Sequence, residues 1–200
     1  MFATAVRVES IAGPEVARYL EPLAELRMRV FREFPYLYEG SLDYERRYLA
    51  SYADSPASLV VIALDGERVV GAATAMPLEQ HSDDVVPPLQ RAGYDPAAVY
   101  YFGESVLDPA YRGQGIGRAF FEHRERRARE LGYRFATFCA VDRPADHPRR
   151  PAGYTPHDAF WTRRGFVKRP DVTTTFSWRD LDEDADSPKP MTFWIKELRS

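Results

Sequence analysis

The chain has 200 residues, of which 44% are hydrophobic and 28% are charged. This composition is typical of a globular protein and excludes general disorder, and the length suits one domain over residues 1–200. The net charge of −3 and the lack of a long basic block exclude a nucleic-acid-binding protein, which needs a concentrated positive surface.

The sequence predicts a protein of the cytoplasm without a membrane partner. Cys139 is the only cysteine, so no disulfide can form within the chain, as expected in a reducing compartment. Its apolar neighbours Phe138 and Ala140 favour a buried strand thiol over a catalytic nucleophile. The N-terminal sequence MFATAVRVES lacks the basic start and apolar run of a secretory signal. No stretch approaches the roughly 18 consecutive apolar residues that cross a bilayer.

A strand and two helices are predicted at the start of the chain. The strand covers Ala5 to Glu9. A helix follows, because apolar residues recur at every third or fourth position and form one face: Leu20, Leu23, Leu26, Val30 and Phe34. Pro35 interrupts this helix, since the residue before a proline disfavours helical backbone. A second helix is expected to begin at Ser41, a capping residue that precedes an acidic first turn.

Three strands are predicted in the middle of the chain. Ser58 to Leu64 and Glu67 to Met76 form a hairpin, because Asp65-Gly66 between them is a strong two-residue turn. The segment from Pro77 to Ala98 is rich in prolines and acids, which indicates a long connection with room for one short helix. Tyr100 to Leu107 then forms the third strand of this group.

The remaining elements complete a mixed α/β sheet with flanking helices. In chain order they are a long helix, a strand, a short helix and two closing strands: Gly115 to Leu131, Arg134 to Val141, His157 to Arg164, Val172 to Trp178 and Met191 to Leu198. Gly132 is a natural left-handed stop for the long helix. The arginines of that helix are predicted to form a solvated face: Arg124, Arg126, Arg127 and Arg129.

The segment between the strand ending at Leu107 and the long helix carries the chemistry. It reads Arg112-Gly-Gln-Gly-Ile-Gly117, and its glycines let the backbone approach a ligand closely. At a helix start the unpaired N–H groups and the dipole favour negative charge, so this turn predicts a pyrophosphate site. It is not a Walker loop, because no Gly-Lys-Ser/Thr follows. The glycines also lack the spacing of a dinucleotide-binding turn.

Arg-x-x-Gly-x-Gly after a strand, with the phrase Asp108-Pro-Ala-Tyr111 before it, resembles the acetyl-CoA loop of the GNAT family of N-acetyltransferases. A later phrase of that family, an aromatic residue followed by Gly-Phe, is matched by Phe160 to Phe166. The resemblance implies a mixed, splayed and mostly antiparallel sheet of about seven strands. It also implies acetyl-CoA as co-substrate, admitted between Leu107 and the strand around Cys139, and no metal.

By the same resemblance, the cofactor contacts are mainly main-chain groups. The pantetheine arm is expected to pair with Ser105, Val106 and Leu107. The pyrophosphate is expected to bind the amides of Gly113, Gln114, Gly115, Ile116, Gly117 and Arg118, with Arg112 fixing the loop.

Two residues are candidates for proton transfer. Glu104 precedes the pantetheine-binding residues, where some family members carry a glutamate base; the alternative is a surface glutamate or one paired with an arginine. The family's usual acid is a tyrosine, but Trp161 stands at that position and cannot protonate a thiolate. Tyr154 is the replacement candidate, and bulk water is the alternative. Trp161 is expected to pack against the pantetheine or the core.

The acceptor site is expected to come from Phe31 to Tyr44, where tyrosines and carboxylates would suit a cationic amine; the alternative is that these tyrosines are ordinary half-buried residues. The charged loop from Asp142 to Arg150 is expected to contact the substrate, with a solvated loop as the alternative. The four histidines show no metal-ligand spacing with Cys139 or the nearby aspartates.

These observations predict an enzyme, active as a monomer or homodimer, that moves an acetyl group from acetyl-CoA to the amine of a small-molecule acceptor. Two alternatives stay open. One is a non-catalytic acyl-CoA-binding sensor or partner module, which Trp161 in place of tyrosine would allow. The other is a protein N-acetyltransferase, because function depends on the site rather than the fold.

Overall fold

The computed structural model describes residues 6–82 and 84–198. Within these ranges seven strands form one sheet: β1 (Arg7–Ile11), β2 (Leu59–Asp65), β3 (Arg68–Pro77), β4 (Val99–Leu107), β5 (Phe135–Val141), β6 (Val167–Trp178) and β7 (Ser187–Glu197). The described α-helices flank it: α1 (Leu20–Phe31), α2 (Leu42–Ala53), α3 (Val86–Arg91), α4 (Ile116–Glu130) and α5 (Asp158–Arg163).

The strand order is β1-β2-β3-β4-β5-β7-β6. Every neighbouring pair is antiparallel except β4 and β5, which run parallel. The predicted fold class, a mixed and mostly antiparallel sheet of about seven strands with flanking helices, is confirmed.

Some predicted element ends were wrong. The sequence predicts Phe34 on the first helix, but α1 ends at Phe31 and Phe34 lies in the loop that follows. β6 begins at Val167 rather than Val172, and its register shifts between Arg169 and Thr173. Pro170 lies inside this irregularity, which an edge strand tolerates because a missing ladder donor there costs little.

Two other ends differ as well. β7 begins at Ser187 rather than Met191, so the prolines at its start belong to the strand. The first strand runs from Arg7 to Ile11, and the predicted start at Ala5 lies outside the described residues.

The sheet is covered on both faces. On β2, successive side chains point to opposite faces, as in any strand. Ile62 packs in one cluster with Leu23 of α1 and Leu49 of α2. Its neighbour Val61 packs in another cluster with Phe120 of α4, and all five side chains are buried. The helices thus hold β2, β3 and β4 between two apolar layers, and the edge of this assembly carries the site.

Strands β4 and β5 separate soon after they meet. They pair only from Val99 to Tyr101, opposite Phe135 to Thr137. On the other side of β4, the register against β3 shifts, because Ala73 pairs with Ser105 while Ala75 pairs with Phe102. One residue of β3 therefore faces two of β4, which is a bulge that bends the strand. The result is a wedge-shaped gap between β4 and β5, as expected.

The loop of residues 32–41, between α1 and α2, closes over this gap and is fixed by Arg143. The Arg143 guanidinium donates to the carbonyl oxygen of Pro35 at 2.7 Å and to that of Tyr36 at 2.8 Å. It also forms a two-pronged ion pair with Asp180, at 2.8 and 2.9 Å. The side chains of Arg143 and Asp180 are 9% and 6% exposed, so this contact is shielded from water.

Main-chain bonds join the same loop to the turn between β6 and β7. Leu181 N–H donates to the carbonyl of Leu37 at 2.8 Å, and Glu39 N–H donates to that of Arg179 at 2.9 Å. The Trp178 indole N–H donates to the Tyr36 carbonyl at 3.0 Å. Residues 32–41 are therefore anchored to two distant parts of the chain.

We expect Arg143→Ala to lower the free energy of unfolding by about 3–5 kcal/mol, because it leaves Asp180 buried without its main partner. Urea unfolding measures this loss, and hydrogen exchange should quicken in residues 32–41. Arg149→Ala is the control, since Arg149 forms an exposed ion pair with Asp182 at 3.7 Å and should contribute less than about 1 kcal/mol. Equal losses in the two variants would contradict the anchoring role.

Candidate active site

A cavity of about 1960 Å³ lies where β4 and β5 diverge, and we call it the central cavity. Glu104 and Ser105 of β4 and Phe138 and Cys139 of β5 line it, together with the loop of residues 32–41. It also brings together most of the predicted site residues: Glu104, Ser105, Leu107, Arg112, Gly113, Gly115, Gly117, Arg118 and Tyr154.

The glycine turn before α4 has the geometry of an anion site. Gly113 and Gly115 have φ angles of +77° and +84°, in the left-handed region that favours glycine. Gly115 is the N-cap of α4, and no side chain caps the first amides of that helix. The space above Gly113 and Gly115 is open, with no heavy atom within 4 Å of where a Cβ would stand. Uncapped amides facing open space suit a diphosphate.

Arg112 ties this turn to its surroundings. Its guanidinium donates to Glu33 at 2.8 Å and to the carbonyl oxygen of Leu107 at 3.3 Å. It therefore links the glycine turn to the end of β4 and to the loop of residues 32–41, in agreement with its expected fixing role.

The remaining predicted cofactor residues can offer mainly their backbone. The side chains of Val106 and Ile116 are buried in the apolar clusters, at 0% and 5% exposure. The Gln114 amide donates to the carbonyl of Ala110 at 3.2 Å. The Arg118 guanidinium donates to Glu122 at 2.6 Å and remains exposed.

Glu104 is held by several donors at the bulge of β4. Tyr48 donates to its Oε2 atom at 2.8 Å, and Thr74 lies 2.9 Å from the same atom. Its other oxygen forms an ion pair with Arg27, and its side chain is 9% exposed. Glu104 therefore lines the cavity and pairs with an arginine, as the alternative interpretation predicted, and its role as a base stays a prediction.

Arg27 forms ion pairs with two carboxylates, because it pairs with the fully buried Glu45 as well as with Glu104. Burial alone would lower the pKa of Arg27, but the charges of Glu104 and Glu45 outweigh it and raise the pKa. The guanidinium also lies 4.4 Å from the centre of the Tyr48 ring. Sequence reasoning missed Arg27, although it stands four positions after Leu23 on the apolar face of α1.

Tyrosine hydroxyls extend the hydrogen bonding around Glu104. The Tyr48 and Tyr52 hydroxyls lie 2.8 Å apart, and Thr74 Oγ1 lies 3.1 Å from the hydroxyl of Tyr52. Burial raises the pKa of Tyr48 well above its ordinary value, so this phenol stays protonated and serves as a donor.

Arg124 of α4 also lines the cavity, and the prediction of a solvated face was wrong for this residue. It is 1% exposed, because it lies on the side of α4 that packs against the sheet. Burial lowers the pKa of Arg124 to about 9, so its guanidinium is charged at neutral pH. Arg126 and Arg129 on the other side of the helix are exposed.

Trp161 and Tyr154 occupy different parts of the cavity wall. The Trp161 ring packs 5.0 Å from Phe138 and 5.1 Å from Trp194, measured between centroids, which agrees with the expected packing role. The Tyr154 ring stands edge-on to Phe34 at 4.7 Å. Burial raises the pKa of Tyr154, so its hydroxyl remains a donor at neutral pH.

Cys139 is a buried strand thiol, as predicted. Its Sγ atom lies 3.2 Å from the hydroxyl of Tyr101. Burial raises the pKa of the thiol to about 12, which disfavours the thiolate that a nucleophile requires.

Residues 6–82 and 84–198 contain neither a metal-binding group of side chains nor a membrane-spanning helix. No three His, Cys, Asp or Glu side chains come together in a group that could hold a metal ion. None of the helices in this part of the chain is long and apolar enough to cross a membrane.

Solved structures that share this fold include acetyltransferases, although their sequence identity to the chain is low. A ribosomal-protein-alanine N-acetyltransferase from Brucella melitensis has a TM-score of 0.62 and 16% identity, covering 95% of this chain and 99% of its own. An N-acetyltransferase from Staphylococcus aureus Mu50 has a TM-score of 0.62 and 14% identity, covering 96% and 99%. A proposed acetyltransferase from Salmonella typhimurium, solved with its cofactor acetyl-CoA, has a TM-score of 0.60 and 13% identity. The match covers 97% of this chain and 95% of the Salmonella protein.

Sequence comparison assigns the family. None of the curated proteins matches the chain in sequence. The profile of the acetyltransferase (GNAT) family, however, matches residues 21–152, a range that contains the glycine turn, Glu104 and the diverging strands. With this match over more than half its length, the chain belongs to the GNAT family of acetyltransferases.

Proposed function

We propose that this chain transfers an acetyl group from acetyl-CoA to the amine of a small-molecule acceptor. The observation that carries the proposal is the position of the uncapped amides from Gly113 to Arg118 beside the gap between β4 and β5. Family members use acetyl-CoA, and one protein of the same fold was solved with it. A diphosphate on these amides would direct the rest of the molecule along β4.

Acetyl-CoA is a substrate of this reaction and supplies the activated acetyl group as a thioester. The amides of Gly113 to Arg118 would hold its diphosphate, and the main chain of Ser105 to Leu107 would pair with its pantetheine arm. Holding both substrates in place supplies much of the rate, with effective molarities on the order of 10⁵ M or more.

Proton transfer is assigned to Glu104. The amine nitrogen forms a bond to the thioester carbon, the carbon–sulfur bond breaks, and the nitrogen loses a proton. Glu104 would accept that proton, directly or through water, while Arg27, Tyr48 and Thr74 keep its carboxylate in place. Tyr154, which also lines the cavity, is the proposed donor to the departing thiolate, since Trp161 has no suitable proton.

The proposed acceptor is a small molecule because the cavity wall that would face it is aromatic and anchored. The anchored loop of residues 32–41 contributes Phe34, Tyr36 and Tyr38 to the cavity, and Trp178 faces them from β6. A protein acceptor would need an open groove instead. A free-thiol release assay with acetyl-CoA and a panel of amines tests the proposal. Release only with peptide substrates would favour a protein acceptor, and binding without turnover would favour a sensor.

Gly115→Asp should abolish acetyl-CoA binding, because the new carboxylate would repel the diphosphate. The substitution also forces an aspartate into left-handed backbone. We expect calorimetry to show an affinity loss of at least about 100-fold, or about 2.7 kcal/mol. Gly132→Asp is the matched control: Gly132 ends the same helix with a φ angle of +83°. Both variants should lose roughly 1–2 kcal/mol of stability through backbone strain. Normal binding by Gly115→Asp would remove the diphosphate from this turn.

Glu104→Gln should lower kcat by roughly 100-fold or more, the scale of general base catalysis, with little change in the KM for acetyl-CoA. Glu45→Gln is the matched control, since it neutralises the other carboxylate on Arg27 at a fully buried position. Steady-state kinetics on both variants separate the roles. Equal losses would assign the effect to the charge on Arg27 rather than to a base.

A further inference from the structure

Arg124 is a buried cation at the centre of the molecule. Its guanidinium lies between the rings of Phe102 and Phe121, at 4.5 and 4.7 Å from their centroids. The residue is 1% exposed. A charge in such a place is expensive unless it is paired, so its partners are informative.

Within the described part of the chain, the hydrogen bonds of Arg124 go only to neutral acceptors. Its Nε atom donates to the Phe120 carbonyl at 3.2 Å. Its Nη1 atom donates to the carbonyl of Thr74 on β3 at 3.4 Å and to that of Glu104 on β4 at 3.3 Å, at the bulge between these strands. Its Nη2 atom donates to the hydroxyl of Ser105 at 2.8 Å.

The nearest carboxylates are already neutralised by other cations. Glu104 pairs with Arg27. Glu125, the next residue on α4, pairs with Arg129 at 3.0 Å and with Lys196 at 2.7 Å. Neither forms an ion pair with Arg124 in the part of the chain that the structure describes.

The other titratable groups that face Arg124 are phenols, Tyr52 of α2 and Tyr100 of β4. Burial raises the pKa of both, so they are neutral at physiological pH. Among the described residues, Arg124 therefore has no ion pair of its own, and its positive charge lies beneath the wall of the central cavity.

Ser105 connects this charge to the cavity. Unlike Arg124, Ser105 is exposed, and it lines the cavity next to Glu104. Because its oxygen accepts the bond from Arg124, its own proton is free to be donated to a ligand. Ser105 is also the proposed pantetheine contact farthest from the glycine turn, so it lies nearest to the thioester end of that arm.

We propose that Ser105 and Arg124 together stabilise the negative charge that develops on the thioester during acetyl transfer. This inference rests on the proposed function. Ser105 is the catalytic residue, since its hydroxyl would donate a hydrogen bond to the reacting group. Arg124 is a positioning residue, which orients and polarises that hydroxyl and adds a positive charge behind it.

The bonds formed and broken in this step, and its protons, are all accounted for. The amine nitrogen bonds to the carbonyl carbon, and the carbon–sulfur electron pair leaves with the sulfur. The amine proton goes to Glu104 or water, and the thiolate later takes a proton from Tyr154 or solvent. Ser105 and Arg124 keep their protons throughout. A stabilised thiolate also explains how the chain can operate with Trp161 at the position where the family usually has an acid.

Kinetics at saturating acetyl-CoA test the inference. Ser105→Ala and Arg124→Met should each lower kcat on the order of 100-fold, the scale for removing one donor to a developing anion. The double variant should be little worse than either single one, because both act through the same hydroxyl. Arg127→Met is the control, since Arg127 lies one turn further along α4 and donates to the Pro56 carbonyl instead. It should leave kcat unchanged.

A binding experiment detects the charge without turnover. Calorimetry compares CoA with desulfo-CoA, which lacks the thiol, from about pH 6 to about pH 8, where Arg124 keeps its proton. In the unmodified protein the affinity ratio of CoA to desulfo-CoA should rise about eightfold, as expected if binding lowers the thiol pKa from about 8.5 to about 7. In Arg124→Met the ratio should stay flat.

The outcomes separate this inference from the proposed function. Failure of the unmodified protein to bind CoA would remove the proposed function itself. Normal binding with a flat ratio, or an unchanged kcat in Ser105→Ala, would overturn the role of this pair. Ser105→Ala alters an exposed hydroxyl, so it keeps the test decisive if Arg124→Met does not fold. A melting temperature lowered by Arg124→Met with kcat intact would leave Arg124 a purely structural residue.

Discussion

The separation of β4 from β5 is the constraint on which the site depends. A sheet with seven paired strands would have no interior space, but here the ladder stops at Tyr101 and Thr137. The bulge opposite Thr74 bends β4, and beyond the point where β5 separates, the edge of β4 lacks the partners that a regular ladder would supply. The glycine turn at the end of the same strand adds further free amides. A ligand entering the gap completes the hydrogen bonding that the sheet leaves open.

Charges are arranged unevenly around this gap. Two guanidinium groups and two carboxylates lie at or next to the bulge, but both carboxylates pair with Arg27 and none with Arg124. These groups together have little net charge. Because the positive and negative charges occupy different positions, they still produce a local electric field across the cavity. Because the groups are fixed by packing and hydrogen bonds before substrate arrives, little reorganisation is needed when charge develops in the reaction. The buried tyrosines keep water from weakening that field.

Local chemistry explains which features could be predicted from the sequence. The glycine turn was predictable because Gly113 and Gly115 require left-handed backbone, and the hairpin because Asp65-Gly66 fixes a tight turn. Arg27 and Arg124 were not predictable, since a charged residue on an apolar helix face conflicts with the pattern, and its partners come from distant segments. The start of β6 was not predictable because Pro170 argues against a strand. A proline is tolerated there only because β6 lies at the edge of the sheet. Contacts across long sequence separations thus determine the parts that the pattern missed.

The anchor formed by Arg143 and Asp180 has a consequence for how the protein can diverge in evolution. Arg143 lies within residues 21–152, which the family profile matches, whereas Asp180 and the turn between β6 and β7 lie beyond that range. One buried ion pair thus joins two segments that are far apart in the sequence and holds the loop of residues 32–41 in place. Substitutions in the last quarter of the chain can therefore change the shape of one cavity wall while leaving the glycine turn as it is.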